Sequence, residues 1–399
     1  MRPRSAEDPA QAPPPAAAVL NNPKFRSALY QLALVLGLAW LAYQFALNAS
    51  ANLGARNIAS GLGFFQNTAG FGLNLSLIPF QETDTYGRAF VVGLLNTLLV
   101  SGAGIVLATL LGFTVGIGRL SSNWLVARIA GGYVEIVRNL PLLFQILFWY
   151  LAVLGTLPGP RQSLSIFGTF FINSRGFVVP AIGLAAGFGY VWAALGLGLL
   201  ATIGLGLWAR RVRERTGRMI PMLWKALGLI VGLPLAAFLA AGLPVDVDVP
   251  RLQGFNFIGG TRIIPEFLAL LFALTTYTAS FIAEIVRAGI LAVPRGQSEA
   301  GLALGLRRGQ LLRLILIPQA LRIIVPPLTN QYLNLTKNSS LAVAIGYPDL
   351  FAVFAGTTLN QTGQAIEIIA ITMAVYLSLS LITSVLMNWY NSRLQLVER

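Results

Sequence analysis

Residues 89–118, AFVVGLLNTLLVSGAGIVLATLLGFTVGIG, run without a single charged side chain. A helix needs about 20 predominantly apolar residues to cross the hydrocarbon core of a bilayer, so this stretch spans with length to spare. A barrel strand would alternate apolar and polar over about ten residues, a pattern missing here, and a helix satisfies its own backbone groups where no water can do so. Seven further stretches read the same way, at 29–48, 133–157, 177–209, 223–243, 266–292, 321–345 and 365–389. The expected fold is therefore an all-α integral membrane protein with about eight transmembrane helices. Composition agrees: of 399 residues 56% are hydrophobic and only 11% charged, with a mean hydropathy of +0.71, where a soluble domain carries roughly a quarter charged residues.

The same composition narrows the chemistry. There is no Cys and no His, which excludes disulfides, thiolate metal sites and thiol nucleophiles and removes the commonest general base. The 14 Asp and Glu residues form no dense cluster; Asp246 and Asp248 stand as a candidate pair in a short outer loop without obvious companions. A lipid-acting membrane enzyme built on that pair is the weaker reading, and no metal ligand set is expected.

The net charge of +14 has a topological explanation that needs no nucleic acid. With the N-terminus cytoplasmic, eight spans return the C-terminus to the same side, and Lys and Arg can be counted by side. Twenty fall inside, six of them between Arg210 and Lys225 and six between Arg287 and Arg322, against six outside: Arg56, Arg88, Arg161, Arg175, Arg251 and Arg262. The expected location is a bacterial inner membrane, multi-pass and in contact with lipid, with both termini cytoplasmic.

Along the chain this gives a Pro- and Ala-rich cytoplasmic tail (1–28), an uncleaved N-terminal transmembrane anchor (29–48) and an outer, periplasmic loop (49–88). A first group of spans (89–157) follows. An apparent insertion holds two spans (158–265), and a second group (266–392) contains a cytoplasmic loop at 293–318, leaving 393–399 as a cytoplasmic end. An internal echo, Glu135-Ile136-Val137-Arg138 and Glu284-Ile285-Val286-Arg287, places a carboxylate and a guanidinium at i and i+3, where they can pair on one helix face. These read as helix-end ion pairs fixing register, with gating as the alternative. Gly196-x-Gly198-x-x-Ala201 and Gly204-x-Gly206-x-x-Ala209 lack the strand context of a dinucleotide site and suit close helix packing. The chain contains no Gly-Lys pair, hence no P-loop, and no cofactor is expected to be bound by this chain.

The loop at 293–318 has a distinctive pattern: Glu299-Ala300-Gly301, three residues, Gly305, Leu306-Arg307-Arg308, then Ile315-Leu316-Ile317-Pro318. Ser298 is expected to cap a helix that opens with Glu299, and Gly305 to break it so that a second short helix leaves at an angle. Such a compact knob, small at Ala300, Gly301 and Gly305 and flanked by arginines, could seat in a partner's groove; an amphipathic linker lying on the leaflet is the alternative. The pattern resembles the signature of the inner-membrane permease family of ATP-binding-cassette importers: E-A-A, three residues, G, nine residues, I-x-L-P. Gly301 stands for Ala and Ile317 for Leu, with the spacing intact. Residues 134–143, 283–290 and 318–331 look like the polar amino-acid branch of that family, and the extra spans resemble its enlarged members, which serve general L-amino-acid uptake or the glutamate, glutamine, aspartate and asparagine group.

The resemblance implies a five-helix importer core of the type I kind formed by 89–157 and 266–392. It also implies a coupling loop (Glu299, Ala300, Gly301, Gly305, Arg307, Arg308, Ile315, Pro318) that docks on an ATP-binding-cassette subunit, itself a dimer, where ATP and Mg are bound and hydrolysed. The other implied partners are a second permease subunit, a periplasmic amino-acid-binding protein and an L-amino acid as substrate. Asn330, Asn334 and Lys337 stand at i, i+4 and i+7 on one helical stripe. That stripe could meet a zwitterion, with Glu284 as a weaker partner for its amine, or could serve as interhelical glue. An ion-coupled secondary amino-acid transporter fits the helix count alone.

Overall fold

The computed structural model describes residues 23–55, 60–217 and 221–394; the expected tail up to residue 22 and the end from 395 lie outside them. The chain opens with α1 (Pro23–Ala55), whose apolar window buries nothing against the rest of the chain. A short 3-10 turn (Gly63–Gln66) precedes α2 (Tyr86–Gly118), where the Thr85 hydroxyl accepts from the Arg88 N–H at 3.3 Å and caps the helix start. The buried face of α2 carries Gly93, Gly104, Ala108, Gly112 and Gly116. This small-residue stripe lets another helix approach to backbone contact.

The third expected span, 133–157, is not one helix. α3 (Trp124–Asn139), capped by the Asn123 carboxamide, and α4 (Leu142–Leu154) meet at a bend of 107°. The cause is Pro141, which lacks an N–H and pushes the residue before it out of the helical region; Leu140 is extended at φ −94° and ψ 130°. Gln145 repairs the break, its amide donating to Val137 O at 2.9 Å and to Leu140 O at 3.0 Å.

The insertion departs furthest from the all-helical expectation. Eight short strands frame it: β1 (Leu164–Ile166), β2 (Phe170–Asn173), β3 (Gly176–Val179) and β4 (Ala181–Leu184) before the inserted helices, β5 (Val245–Asp248), β6 (Arg251–Gln253), β7 (Asn256–Ile258) and β8 (Thr261–Ile263) after them. All pairings are antiparallel, in the order β1-β2-β3-β8, with separate β4-β5 and β6-β7 ribbons. Pairing of β3 with β8 in the register Phe177↔Ile263 joins the entry of the insertion to its exit. The inserted helices can therefore be housed without moving the core. The fourth span accordingly begins at α5 (Phe188–Thr216) and not at 177. The fifth is a shorter interrupted helix at 222–240, called α6, packed on α5 where Gly198 lies against the Leu229 carbonyl.

The second group opens with α7 (Pro265–Leu291), the most buried helix of the bundle. It packs on α2 so closely that a Cβ at Gly112 would lie 2.6 Å from Ile282 and one at Gly116 would lie 2.7 Å from the Ala283 carbonyl. Next come α8 (Arg295–Ala303), α9 (Arg308–Leu311), a π turn (Leu312–Leu316) and α10 (Ile317–Asn338), then a 3-10 turn (Ser339–Ile345) and a π turn (Phe351–Thr358) leading into α11 (Leu359–Thr362). The last helix is α12 (Ala365–Leu394). Among the described residues six helices are long and apolar enough to cross a membrane, seven with the bent α3–α4 pair counted as one. The expected eight are thus six continuous spans, one broken span and the short α6. Leucines exposed along α1, α5 and α12 (Leu36, Leu200, Leu377) are what a lipid-facing surface requires.

Candidate functional site

α7 ends at Leu291, and the chain turns at once into the loop singled out by its sequence. α8 begins at Arg295 with Pro294 before it, so Ser298 and Glu299 lie within the helix and the expected Ser298 cap is not formed. The stop falls where expected. Leu306 N–H reaches Gly301 O at 3.2 Å and Gly305 N–H reaches Leu302 O at 2.9 Å, with Gly305 at φ +76°. This paired closure with a left-handed glycine satisfies the last carbonyls and turns the chain sharply. The Gln310 side chain then accepts from Arg307 N–H at 3.0 Å and starts α9.

Between these two arms Gly301 is buried. A Cβ there would lie 2.5 Å from Leu311 and 3.1 Å from Ile315, so the glycine that departs from the familiar Ala lets α8 close onto the following helix. Gln319 donates to Gln297 at 3.2 Å and ties the base of the loop. Glu299, Ala300, Gly305, Arg307 and Arg308 are exposed, while Ile315 and Pro318 are half-buried in the stem. The tip also presents Leu302 and Leu304, exposed by 52% and 80%. Sequence reasoning passed over both leucines, although a pair of them between two glycines in a polar loop was the available signal. The loop is a hydrogen-bonded helical projection with an apolar tip and a cationic flank.

Asn330, Asn334 and Lys337 fall together on one exposed face of α10. The opposite side of that helix faces the core through Ile324, Leu328 and Leu335 and through a Thr109–Tyr332 hydroxyl contact at 2.9 Å. Asn330 and Asn334 lie within the helix and Lys337 in its last turn; polar side chains inside a span are costly against lipid and turn toward protein or water. Glu284 does not belong to this stripe. It sits near the end of α7, where it accepts from Arg287 at 2.6 Å and is bonded to Arg119, the residue that ends α2. Its carboxylate is thus engaged in joining two helices next to the loop. The matching Glu135–Arg138 pair is not formed: Arg138 lies over the Phe281 ring at 5.0 Å, and no ion pair of Glu135 occurs among the described residues.

A polar knot that sequence reading missed fixes the other end of the bundle. Asp349 is fully buried, accepting from Ala352 N–H at 2.8 Å and from the Tyr376 hydroxyl at 3.1 Å. Beside it Tyr347 donates to Asn96 O, Thr97 accepts from Leu350 N–H, and the Asn96 amide donates to Leu75 O and Pro348 O. Buried polar groups must be bonded in this way to be tolerated. The knot locks α2, the 346–350 turn and α12 together, and Gly346-Tyr347-Pro348-Asp349 was its only sequence cue.

A multi-pass helical bundle that projects a two-helix loop from one end has the build of a membrane-spanning transport component. Residues 197–396 match the family described as the binding-protein-dependent transport system inner membrane component, and the chain belongs to that family. It is 51% identical over 380 residues to the general L-amino acid transport system permease protein AapQ of Rhizobium johnstonii, covering 95% of each chain. It is also 51% identical to the putative amino-acid ABC transporter permease protein YhdX of Escherichia coli, covering 95% of this chain and 96% of that one. The glutamate/glutamine/aspartate/asparagine transport system permease protein BztB of Rhodobacter capsulatus is 42% identical, with 99% of both chains covered.

Proposed function

We propose that this chain is the permease subunit of an ATP-driven importer of L-amino acids of broad specificity, working with a second permease subunit and fed by a periplasmic amino-acid-binding protein. The observation that carries the reading is the α8–α9 projection at the end of the most buried helix, whose glycine-closed turn presents Glu299, Ala300 and Gly305 of the family's signature to the outside while Gly301 packs within it. A cassette ATPase dimer receives that projection, and ATP and Mg reside on the ATPase. α7 links the projection directly to the core, so a movement of the docked loop is delivered to α2 through the Gly112 and Gly116 contacts. The exposed Asn330–Asn334–Lys337 face of α10 is one wall of the path, closed by the second permease. There Lys337 meets the substrate carboxylate and the two carboxamides serve either end. Both termini and the coupling loop lie in the cytoplasm of a bacterial cell, and the β-framed insertion lies on the periplasmic side of the inner membrane.

Extraction from native membranes in mild detergent tests this reading. Recovery of a nucleotide-binding subunit and a second permease, with ATP hydrolysis stimulated by amino-acid-loaded binding protein, is the expected result; a chain that purifies alone and supports no hydrolysis contradicts it.

A further inference from the structure

The strand platform of the insertion forms an open cavity of about 380 Å³ lined by Asn173, Arg175, Val178, Asn256, the Gly259–Gly260 turn and Arg262, among others. It lies at the start of α7, the opposite end from the coupling loop, and the 27 residues of α7 put about 40 Å between the two at 1.5 Å per residue.

The cavity is preorganised. Ser163 donates to Pro160 O at 2.7 Å, the buried Asn173 amide donates to Ser163, and the Asn173 carbonyl accepts from Arg175 N–H at 2.9 Å. These bonds fix the turn on which Arg175 stands. The Asn256 carbonyl accepts from one Arg175 nitrogen, so a neutral group orients that guanidinium without cancelling its charge. Arg262, opposite Val178 in the β3–β8 register, has no ion pair among the described residues. The Asp248 carboxylate accepts from the Gly260 N–H at 3.1 Å and is not among the residues that line the cavity. Two arginines therefore line a small space with no acid among its lining residues.

We propose that this cavity binds a carboxylate group. Guanidinium forks match carboxylates bidentately, and the volume lies at the small end of ligand sites, suited to an amino-acid-sized group. The choice of a carboxylate over other anions rests on the amino-acid importer reading above. The group arrives on a free acidic amino acid or on an Asp or Glu side chain of the binding protein.

The test uses the assembled full-length complex in lipid nanodiscs, as wild type, as the double variant R175Q/R262Q, and as the control R251Q, which changes an exposed arginine of β6 outside the cavity. Both cavity arginines are exposed, so their replacement spares the fold. L-Glutamate is titrated calorimetrically without binding protein, and ATP hydrolysis is followed against the concentration of loaded binding protein. Loss of a charge-assisted pair costs about tenfold in affinity. Saturable glutamate binding weakened tenfold or more in the double variant identifies the free amino acid. An unchanged titration with a tenfold rise in the binding-protein concentration for half-maximal hydrolysis, at unchanged maximal rate, identifies the side chain. The proposal is overturned if neither quantity moves, if R251Q moves them equally, or if inorganic phosphate binds as tightly as glutamate. Wild-type complex that hydrolyses no ATP would sink the importer reading and leave the cavity to be decided by the glutamate titration alone.

Discussion

Replacing Gly305 separates the backbone requirement of the projection from its contact with a partner. Gly305 sits at φ +76° with no atom within 4 Å of a Cβ built there, so in Gly305→Ala the cost is conformational alone. A left-handed L-residue costs about 1–2 kcal/mol, which lowers the population of the closed turn about 5- to 30-fold relative to open alternatives. Gly305→Asn, whose side chain tolerates this region, should lose less. Gly305→Trp carries the same backbone strain as Ala, so any further loss measures bulk meeting a docked partner. Gly309→Ala, with open space and no positive φ, is the control. The assay is amino-acid uptake per ATP hydrolysed in proteoliposomes, with membrane insertion checked by detergent-solubilised yield. The expected order is wild type and Gly309→Ala, then Asn, then Ala, then Trp. Normal uptake by Gly305→Trp would refute the docking argument, and Gly305→Ala equal to wild type would refute the backbone argument.

The α2–α7 contact should tolerate little added bulk: Gly112→Ala, forced against Ile282 at 2.6 Å, is expected to destabilise by about 1–3 kcal/mol and lower the melting temperature in detergent, whereas Gly102→Ala, with nothing within 4 Å, should not. Glu284→Gln removes the negative charge and one of the two carboxylate oxygens that accept from Arg119 and Arg287 and should cost about 2 kcal/mol in the same melting assay. Glu135→Gln, at the echoing position without an ion pair, should stay within about 0.5 kcal/mol. Lys337→Met should raise the substrate concentration for half-maximal uptake about tenfold and leave basal ATP hydrolysis unchanged; unaltered uptake would remove Lys337 from the path.

Most of the membrane architecture was legible because burial in lipid leaves one strong signal, a long uncharged run, and α2, α7 and α12 lie within a few residues of their expected bounds. What the run does not show is where the backbone breaks. Pro141 stood in plain view inside an apolar stretch, yet hydropathy averages over a proline while the backbone cannot. The strands failed for a related reason: residues 177–184 are apolar enough to extend a span, but their partners β5 and β8 lie some 60 to 90 residues away across the inserted helices, a pairing local pattern does not encode. The turn of the 293–318 loop was readable because Gly305 marks a left-handed conformation by its identity. The Glu284 network was half readable. An i, i+3 pair is local, but the third member, Arg119, comes from another helix, and the same tetrapeptide at 135–138 found an aromatic ring in place of its carboxylate.

The central claim is tested most directly by uptake into proteoliposomes holding the complete complex, with ATP enclosed or omitted and ionophores present or absent. Amino-acid accumulation that requires ATP and loaded binding protein, and that survives collapse of the proton and sodium gradients, is the result expected of an importer driven through the α8–α9 projection. Accumulation that persists without ATP and vanishes with the ion gradient would contradict it.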